Sequence, residues 1–411
     1  MKMKQIMVAS LALTLIAAVA LIAGSNKPRP VEATQPAKSK AQDRAVYVPN
    51  TEPLAADEMR VISCGTGMSF SRRSQACSSF LVELGNGDKF LFDIGAGAAV
   101  NIGSLEIPYD YLDKVFLSHL HTDHFGDFAA LYIGGWIAGR QGKFRVWGPS
   151  GAKPEHGTKH ALTKWREALA WDIDSRRLVP SSGGELEINE FDYQALNKVV
   201  YQENGVTIRS WPAIHCLDGP VSYSLEFKGL EFVFSGDTVP NKWYDEYARK
   251  ADLAIHESYP TTDTLVEKMR FNPHQALFGA TAVHTQPAAF GAIMSRIEPR
   301  MAVAYHFIND PDTGFDVYEQ IRRSYKGPLT LANDLVCWNV NKDKITVREV
   351  LANNRSWPAA PPKPPTNKPD ATAKLPLSPF IVSGRMDDLI DTAIKADLEA
   401  FKKKYGIKDE K

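Results

Sequence analysis

A chain of 411 residues can bury a sizeable core, in one large domain or two ordinary ones. Its 48 Lys and Arg balance 48 Asp and Glu, which excludes a global field drawing it to nucleic acid or to an acidic partner. With 44% hydrophobic residues it is not a disordered polypeptide.

The chain opens with "MKMK", a short basic region, and then runs uncharged to Gly24. Residues 1–25 read as a cleaved signal peptide or an N-terminal membrane anchor. Either reading exports the body of the protein to the periplasm, soluble or tethered to the inner membrane. Residues 26–57, rich in Pro, Lys, Ala and Gln, read as a disordered tether. A catalytic domain is expected over 58–351. It begins with the strand "MRVISCGTG", followed by "SSFLVEL" and "KFLFDIG" around a Gly-Asn-Gly turn, a strong hairpin signal. "TIRSWPAIH", "VSYSLEF", "LEFVFSG", "RMAVAYHF" and "GPLTLAND" are further strands. Helices are expected at 125–140, 158–170, 241–250, 287–296 and 315–325, so hairpins and helices together indicate an α/β or α+β domain with helices covering sheets. Cys64 and Cys77 are either a disulfide of an oxidising compartment or two separate buried thiols. Eight prolines between Trp357 and Phe380 mark the linker 352–380. In the last segment, 381–411, Met386, Ile390, Ile394, Leu398 and Phe401 share one helix face, with Ser383 placed to cap the start and Gly406 to end it. That face is expected to dock on the chain's own domain, a partner or membrane contact being the alternative.

The chemistry is concentrated in "KVFLSHLHTDHFGDFAAL", Lys114 to Leu131. An apolar strand ends where three histidines and an aspartate begin. Alternate residues at a strand end point the same way, so His119 and His121 can converge on one ion. Asp123 and His124 lie past the bend and face a second. Imidazole and carboxylate suit borderline divalent metals, zinc above all. Three more candidates each close a later strand: His215, Asp237 and His306. His156 and His160 fall four apart, a spacing that suits a solvated pair better than a metal site. His256 and His274 are not expected to be ligands. Trp136, Trp147, Trp165, Trp171 and Trp211 belong either to an aryl-accepting pocket or to the core.

With these residues the chain resembles the metallo-β-lactamase superfamily over roughly Met59 to Val350. "SCGTG", "LFDIGAG", "FSGDT", "HES" at 256–258 and "HT" at 284–285 resemble its ribonuclease Z and arylsulfatase branch. "LEIPYDYLDKVFLSHLHTDHFGD", "VHTQPAAFG" and "RMAVAYHFIND" are particularly similar to hydrolases associated with guanitoxin biosynthesis. The resemblance implies an αββα sandwich with two Zn2+ per chain, Mn2+ or Fe2+ being alternatives. It implies that His119, His121 and His215 bind one ion, that Asp123, His124 and His306 bind the other, and that Asp237 bridges them.

Two such ions, about 3.5–4 Å apart, share a water and lower its pKa toward about 7, so a bridging hydroxide would attack the ester. Asp123 would orient that hydroxide. His284 would stabilise the transition state or protonate the leaving oxygen, and Glu257 would hold His284 in place. Asp93 would support the metal loop through hydrogen bonds. The leading reading is an exported hydrolase of a small-molecule ester, with sulfate esters, as in arylsulfatases, the first class. The alternative is a ribonuclease Z-like phosphodiesterase or endoribonuclease. The mixed charge between Gly148 and Leu186 and the expected export argue against a nucleic-acid substrate. An iron oxidoreductase on the same scaffold and a non-catalytic binding module are the remaining readings. A homodimer is a further expectation from the resemblance.

Overall fold

The computed structural model describes residues 44–70, 72–176, 179, 182–363 and 377–407. The segment read as a signal peptide or anchor lies outside the described residues, as does the middle of the proline-rich linker. Among the described residues no helix is long and apolar enough to cross a membrane.

Two sheets face each other. The first contains, in order, β1 (Val46–Tyr47), β16 (Ile345–Val350), β15 (Val336–Val340), β2 (Met59–Gly65), β3 (Ser79–Leu84), β4 (Lys89–Phe92), β5 (Lys114–Phe116), β6 (Phe144–Pro149) and β7 (Leu186–Phe191). The second contains β14 (Leu329–Leu331), β13 (Met301–Tyr305), β12 (Leu253–Glu257), β11 (Leu230–Phe234), β10 (Val221–Phe227), β9 (Val206–Pro212) and β8 (Lys198–Glu203). The expected hairpin is β3–β4, antiparallel with Phe80 opposite Phe92, and Gly87 in its turn takes φ 94°, which disfavours any side chain.

Strand periodicity sorts side chains into layers. Phe80, Val82, Phe90 and Phe92 face the space between the sheets, with Phe116, Tyr223, Phe232, Phe234, Tyr305 and Trp338. Leu81 and Leu91 point the other way, into a cluster with Ile102, Phe128 and Leu131 of the helices Ala98–Ser104 and Phe128–Ile137. On the far side, Val233, Ala254 and Ala302 pack against Tyr244, Phe290, Met294 and Ile321 of the helices Lys242–Tyr247, Pro287–Ile297 and Pro311–Arg322. Three apolar interfaces thus separate four layers, helix–sheet–sheet–helix. Strands covered on both faces are buried along their whole length, as β2, β3 and β12 are.

Several boundaries differ from the sequence reading. The tether expected over 26–57 is structured in its described part: β1 pairs parallel with β16, Tyr47 is buried with Arg60 4.0 Å over its ring, and Glu52 meets Arg348 at 2.7 Å. The long helix expected at 125–140 is two, Thr122–Phe125 and Phe128–Ile137. Short helices at Ala98–Ser104, Thr262–Glu267 and Pro273–Phe278 were not anticipated, being too brief to show a periodic pattern. Cys64 and Cys77 stand as separate buried thiols, Cys77 Sγ donating to the Met68 carbonyl at 3.0 Å. The C-terminal helix is Asp387–Tyr405, ended by Gly406 in the left-handed region. Its N-cap is Met386 rather than Ser383, and Met386, Ile394, Leu398 and Phe401 are exposed rather than docked on the domain.

Candidate metal centre

The centre lies where strands of both sheets end. β5 runs into Leu117 and Ser118, and the chain then turns through His119 and His121 into the one-turn helix that carries Asp123 and His124. His215 follows β9, Asp237 follows β11, and His306 follows β13 at φ 71°. All seven predicted ligands meet there. His121 Nδ1 lies 3.0 Å from His119 Nε2 and 3.1 Å from His215 Nε2. Asp237 Oδ2 is 3.9 Å from the first of these Nε2 atoms and 3.8 Å from the second. On its other side, Asp237 Oδ1 is 3.2 Å from His124 Nε2, and Oδ2 is 3.2 Å from His306 Nε2. Asp123 Oδ2 completes that second group, 3.2 Å from His306 Nε2 and 3.6 Å from His124 Nε2. The two groups share Asp237.

The surroundings fix which nitrogens are available. His124 Nδ1 donates to Asp93 Oδ2 at 2.6 Å, His215 Nδ1 donates to the Val283 carbonyl at 2.9 Å, and His119 Nδ1 meets Ser118 Oγ at 3.0 Å. Because the Ser118 hydroxyl is itself donated to Asp93 Oδ2 at 2.7 Å, His119 Nδ1 must be the donor in their contact. In all three rings Nδ1 is engaged from outside the centre and Nε2 points inward, the orientation metal ligation requires. His124 Nε2 and Asp237 Oδ1 are buried and have no hydrogen-bond partner within the protein, an arrangement that needs an external group to satisfy it. Inward lone pairs from imidazoles, two carboxylates and orphaned buried atoms are the donor set of a divalent-metal pair. The residues fit the ions.

Charge follows from burial and neighbours. Burial pushes His119 well below the ordinary histidine range and His215 down to about 4, so both rings are neutral. Burial would raise Asp123 and Asp237, but His124 and His306 outweigh it and hold both carboxyls low. Against its own desolvation, His124 is raised by Asp237, Asp93 and Asp123.

Next to the second group lies His284. Its Nδ1 is 3.0 Å from Glu257 Oε2, and its ring stacks on Tyr259 with centroids 4.0 Å apart and planes 7° from parallel. Glu257, fully buried, also accepts from the Thr238 backbone N–H at 2.6 Å. Burial and the charge of Asp237 push the Glu257 carboxyl up. With Nδ1 engaged, Nε2 of His284 remains for a substrate atom.

A cavity of about 330 Å3 opens on His119, His121 and His215, with apolar walls from Leu120, Phe125, Pro149 and Leu217. His156 lines it, which sequence reasoning missed: the helical i,i+4 pair does not exist, because His156 ends a separate turn, Pro154–His156, while His160 is exposed on the helix Thr158–Ala168. No tryptophan lines this cavity. Trp147 stacks on Phe116 between the sheets, Trp211 is in the core, and Trp171 is 83% exposed. Tyr259 was also missed, although it stands two residues after Glu257 in the same segment. His256 is buried with Nδ1 on the Glu257 carbonyl, and His274 is exposed, so neither joins the centre.

Known proteins resemble this chain in sequence and in fold. The family model described as anti-Pycsar protein Apyc1 matches residues 59–266. Ribonuclease Z of Mycobacterium marinum is 29% identical over 199 residues, covering 47% of this chain and 67% of that protein. Ribonuclease Z of Mycobacterium bovis BCG is 25% identical over 290 residues, covering 67% and 96%. Among solved structures, the metallo-β-lactamase-fold protein YhfI from Bacillus subtilis superposes with a TM-score of 0.52 at 17% identity, over 69% of this chain and 100% of that one. The fold is the metallo-β-lactamase αββα sandwich.

Proposed function

The chain belongs to the family of the anti-Pycsar protein Apyc1, and we propose that the centre just described hydrolyses a phosphodiester bond. The observation that carries this reading is the pair of ligand groups sharing Asp237. A pair of divalent ions held there, zinc by the chemistry of the donors, would supply an activated water at neutral pH and neutralise the charge of a phosphodiester. His119, His121 and His215 would hold one ion and Asp123, His124 and His306 the other, with Asp237 between them. Asp123, whose Oδ2 lies 3.2 Å from His306 Nε2, would accept a hydrogen bond from that water and orient it. The buried carboxyl of Glu257 would donate through Oε2 to Nδ1 of His284, which leaves the ring proton on Nε2 to be given to the leaving oxygen, and the Tyr259 ring would fix the plane of the imidazole.

Sulfate esters, expected first from the sequence, lose ground here. Both mycobacterial relatives are ribonucleases Z, and M. bovis ribonuclease Z aligns over 96% of its length. Export and a periplasmic location stay as proposals resting on the N-terminal sequence alone. The deciding experiment incubates the zinc-loaded protein with bis(4-nitrophenyl) phosphate and, separately, 4-nitrophenyl sulfate, beside Asp237→Ala. Turnover of the phosphodiester that Asp237→Ala abolishes supports the proposal. Turnover of the sulfate alone would return the reading to a sulfatase, and hydrolysis of neither by a fully loaded protein would remove the phosphodiester claim.

A further inference from the structure

The cavity that opens on His119, His121 and His215 holds about 330 Å3, near the lower end of small-ligand sites, which run from about 300 to 1,000 Å3. It has room for one substituent of a substrate rather than for a chain. Beyond those three residues, the charged or imidazole side chains that line it are Glu155, His156 and Asp218, and among the described residues no Lys or Arg does. His284 is not part of this lining. A leaving group facing His284 therefore lies elsewhere, and the ester group that stays on phosphorus is the one that enters the cavity. A second phosphate there would meet Glu155 and Asp218 with no cation to offset it, so the retained group is uncharged.

The backbone that presents His156 is fixed. Its turn, Pro154–His156, is closed by the His156 N–H on the Lys153 carbonyl at 3.0 Å. The residues that follow are pinned to two strands of the first sheet. Thr158 Oγ1 donates to the Pro149 carbonyl of β6 at 2.8 Å, and the Lys159 N–H donates to Glu190 Oε2 of β7 at 2.7 Å. A Cβ at Gly151 would fall 2.4 Å from His156 Cβ, so only glycine permits that approach. Yet among the described residues the His156 ring has no hydrogen-bond or ion-pair partner, and it joins none of the ligand groups of the centre. We propose that His156 is a specificity-determining residue. Its ring donates a hydrogen bond to an acceptor on the retained ester group, which is uncharged and otherwise apolar to match walls such as Leu120, Phe125 and Leu217. The proposal rests on the phosphodiester reading. A histidine that only faces water would be indifferent to that acceptor.

The test compares three monoesters that carry the retained group on phosphate: phenyl phosphate, 4-acetylphenyl phosphate and 1,4-phenylene bisphosphate. Calorimetry gives their Kd on the zinc-loaded full chain, and elemental analysis counts the ions. 4-Acetylphenyl phosphate is expected to bind about two- to tenfold more tightly than phenyl phosphate, the range of one net hydrogen bond. The bisphosphate should bind more weakly than either, and Glu155→Gln/Asp218→Asn should narrow that penalty. His156→Phe keeps a ring without a donor and should erase the acetyl preference with both ions retained. His156→Gln keeps an N–H donor and should preserve part of it. An acetyl preference unchanged in His156→Phe would overturn the proposal, as would loss of metal from that variant or a bisphosphate that binds more tightly than phenyl phosphate. Initial rates on the matching 4-nitrophenyl diesters separate this proposal from the reading beneath it. Turnover with the His156→Phe effect confined to KM supports both. The acetyl preference without turnover of any diester would uphold His156 and remove the phosphodiester reading alone.

Discussion

Replacing Asp93 by asparagine isolates what the buried support of the centre contributes. Asp93 is fully buried and takes φ 58°, a conformation asparagine tolerates, so the backbone need not move. Its Oδ1 accepts from the Ser118 N–H at 2.7 Å, and its Oδ2 accepts from the Ser118 hydroxyl at 2.7 Å and from His124 Nδ1 at 2.6 Å. Asparagine has only one acceptor oxygen. If its NH2 faces His124, the ring must accept at Nδ1 and carry its proton on Nε2, the atom aimed at Asp237, and the lone pair for the metal is gone. If the side chain flips, the NH2 meets the buried Ser118 N–H and one donor is left unsatisfied, at about 1–3 kcal/mol. Loss of such a supporting partner weakens metal affinity by about 10–100-fold, about 1.4–2.8 kcal/mol. Competition with a chromophoric chelator measures the affinity, and elemental analysis counts the ions per chain. Two ions retained with affinity within about threefold of the unmodified protein, and an unchanged Tm without metal, would refute the argument.

Three other outcomes are expected. His284→Asn should lower kcat by about 10²–10⁴ with metal content unchanged; a fall in bound metal instead would make His284 a structural part of the centre, and metal analysis beside initial rates distinguishes these. Glu231 faces Glu226 across the β10–β11 pair and is partly buried near Asp252, which raises its carboxyl to about 7, with burial the largest cause. A raised folded-state pKa favours folding below the unfolded value of 4.5, and that contribution is lost as pH climbs through about 7. Glu231→Gln should therefore flatten the fall in stability between those pH values and stabilise the protein at pH 8, by about 1–3 kcal/mol after allowance for partial exposure. Parallel pH profiles from denaturant titrations would contradict this. Phe92→Ala removes a ring surrounded by Phe116, Tyr223, Phe232 and Phe234 between the sheets, and should cost about 3–5 kcal/mol of unfolding free energy in urea; a loss under about 1.5 kcal/mol would mean the sheets close over the gap.

The convergence of the seven candidate ligands was legible because the segments that carry them each follow an apolar run. "KVFLS" before His119, "EFVF" before Asp237 and "MAVAY" before His306 are local patterns, and a strand buried on both faces can bring polar residues to a common edge only at its end. The β3–β4 hairpin was legible for the same reason, since both strands and the turn lie within fourteen consecutive residues, 79–92. The tertiary structure alone decided everything that depends on approach between distant segments. His215 takes its tautomer from the carbonyl of Val283, 68 residues away. Tyr47 is ordered by β16, at the other end of the domain. His156 becomes a cavity wall only because its turn folds beside the loop that follows His215, and the tryptophans become core only because two sheets close over Trp147 while helices cover Trp211. A sequence pattern reports which face of one element is apolar; it carries no record of which other element that face, or a ring nitrogen on it, will meet.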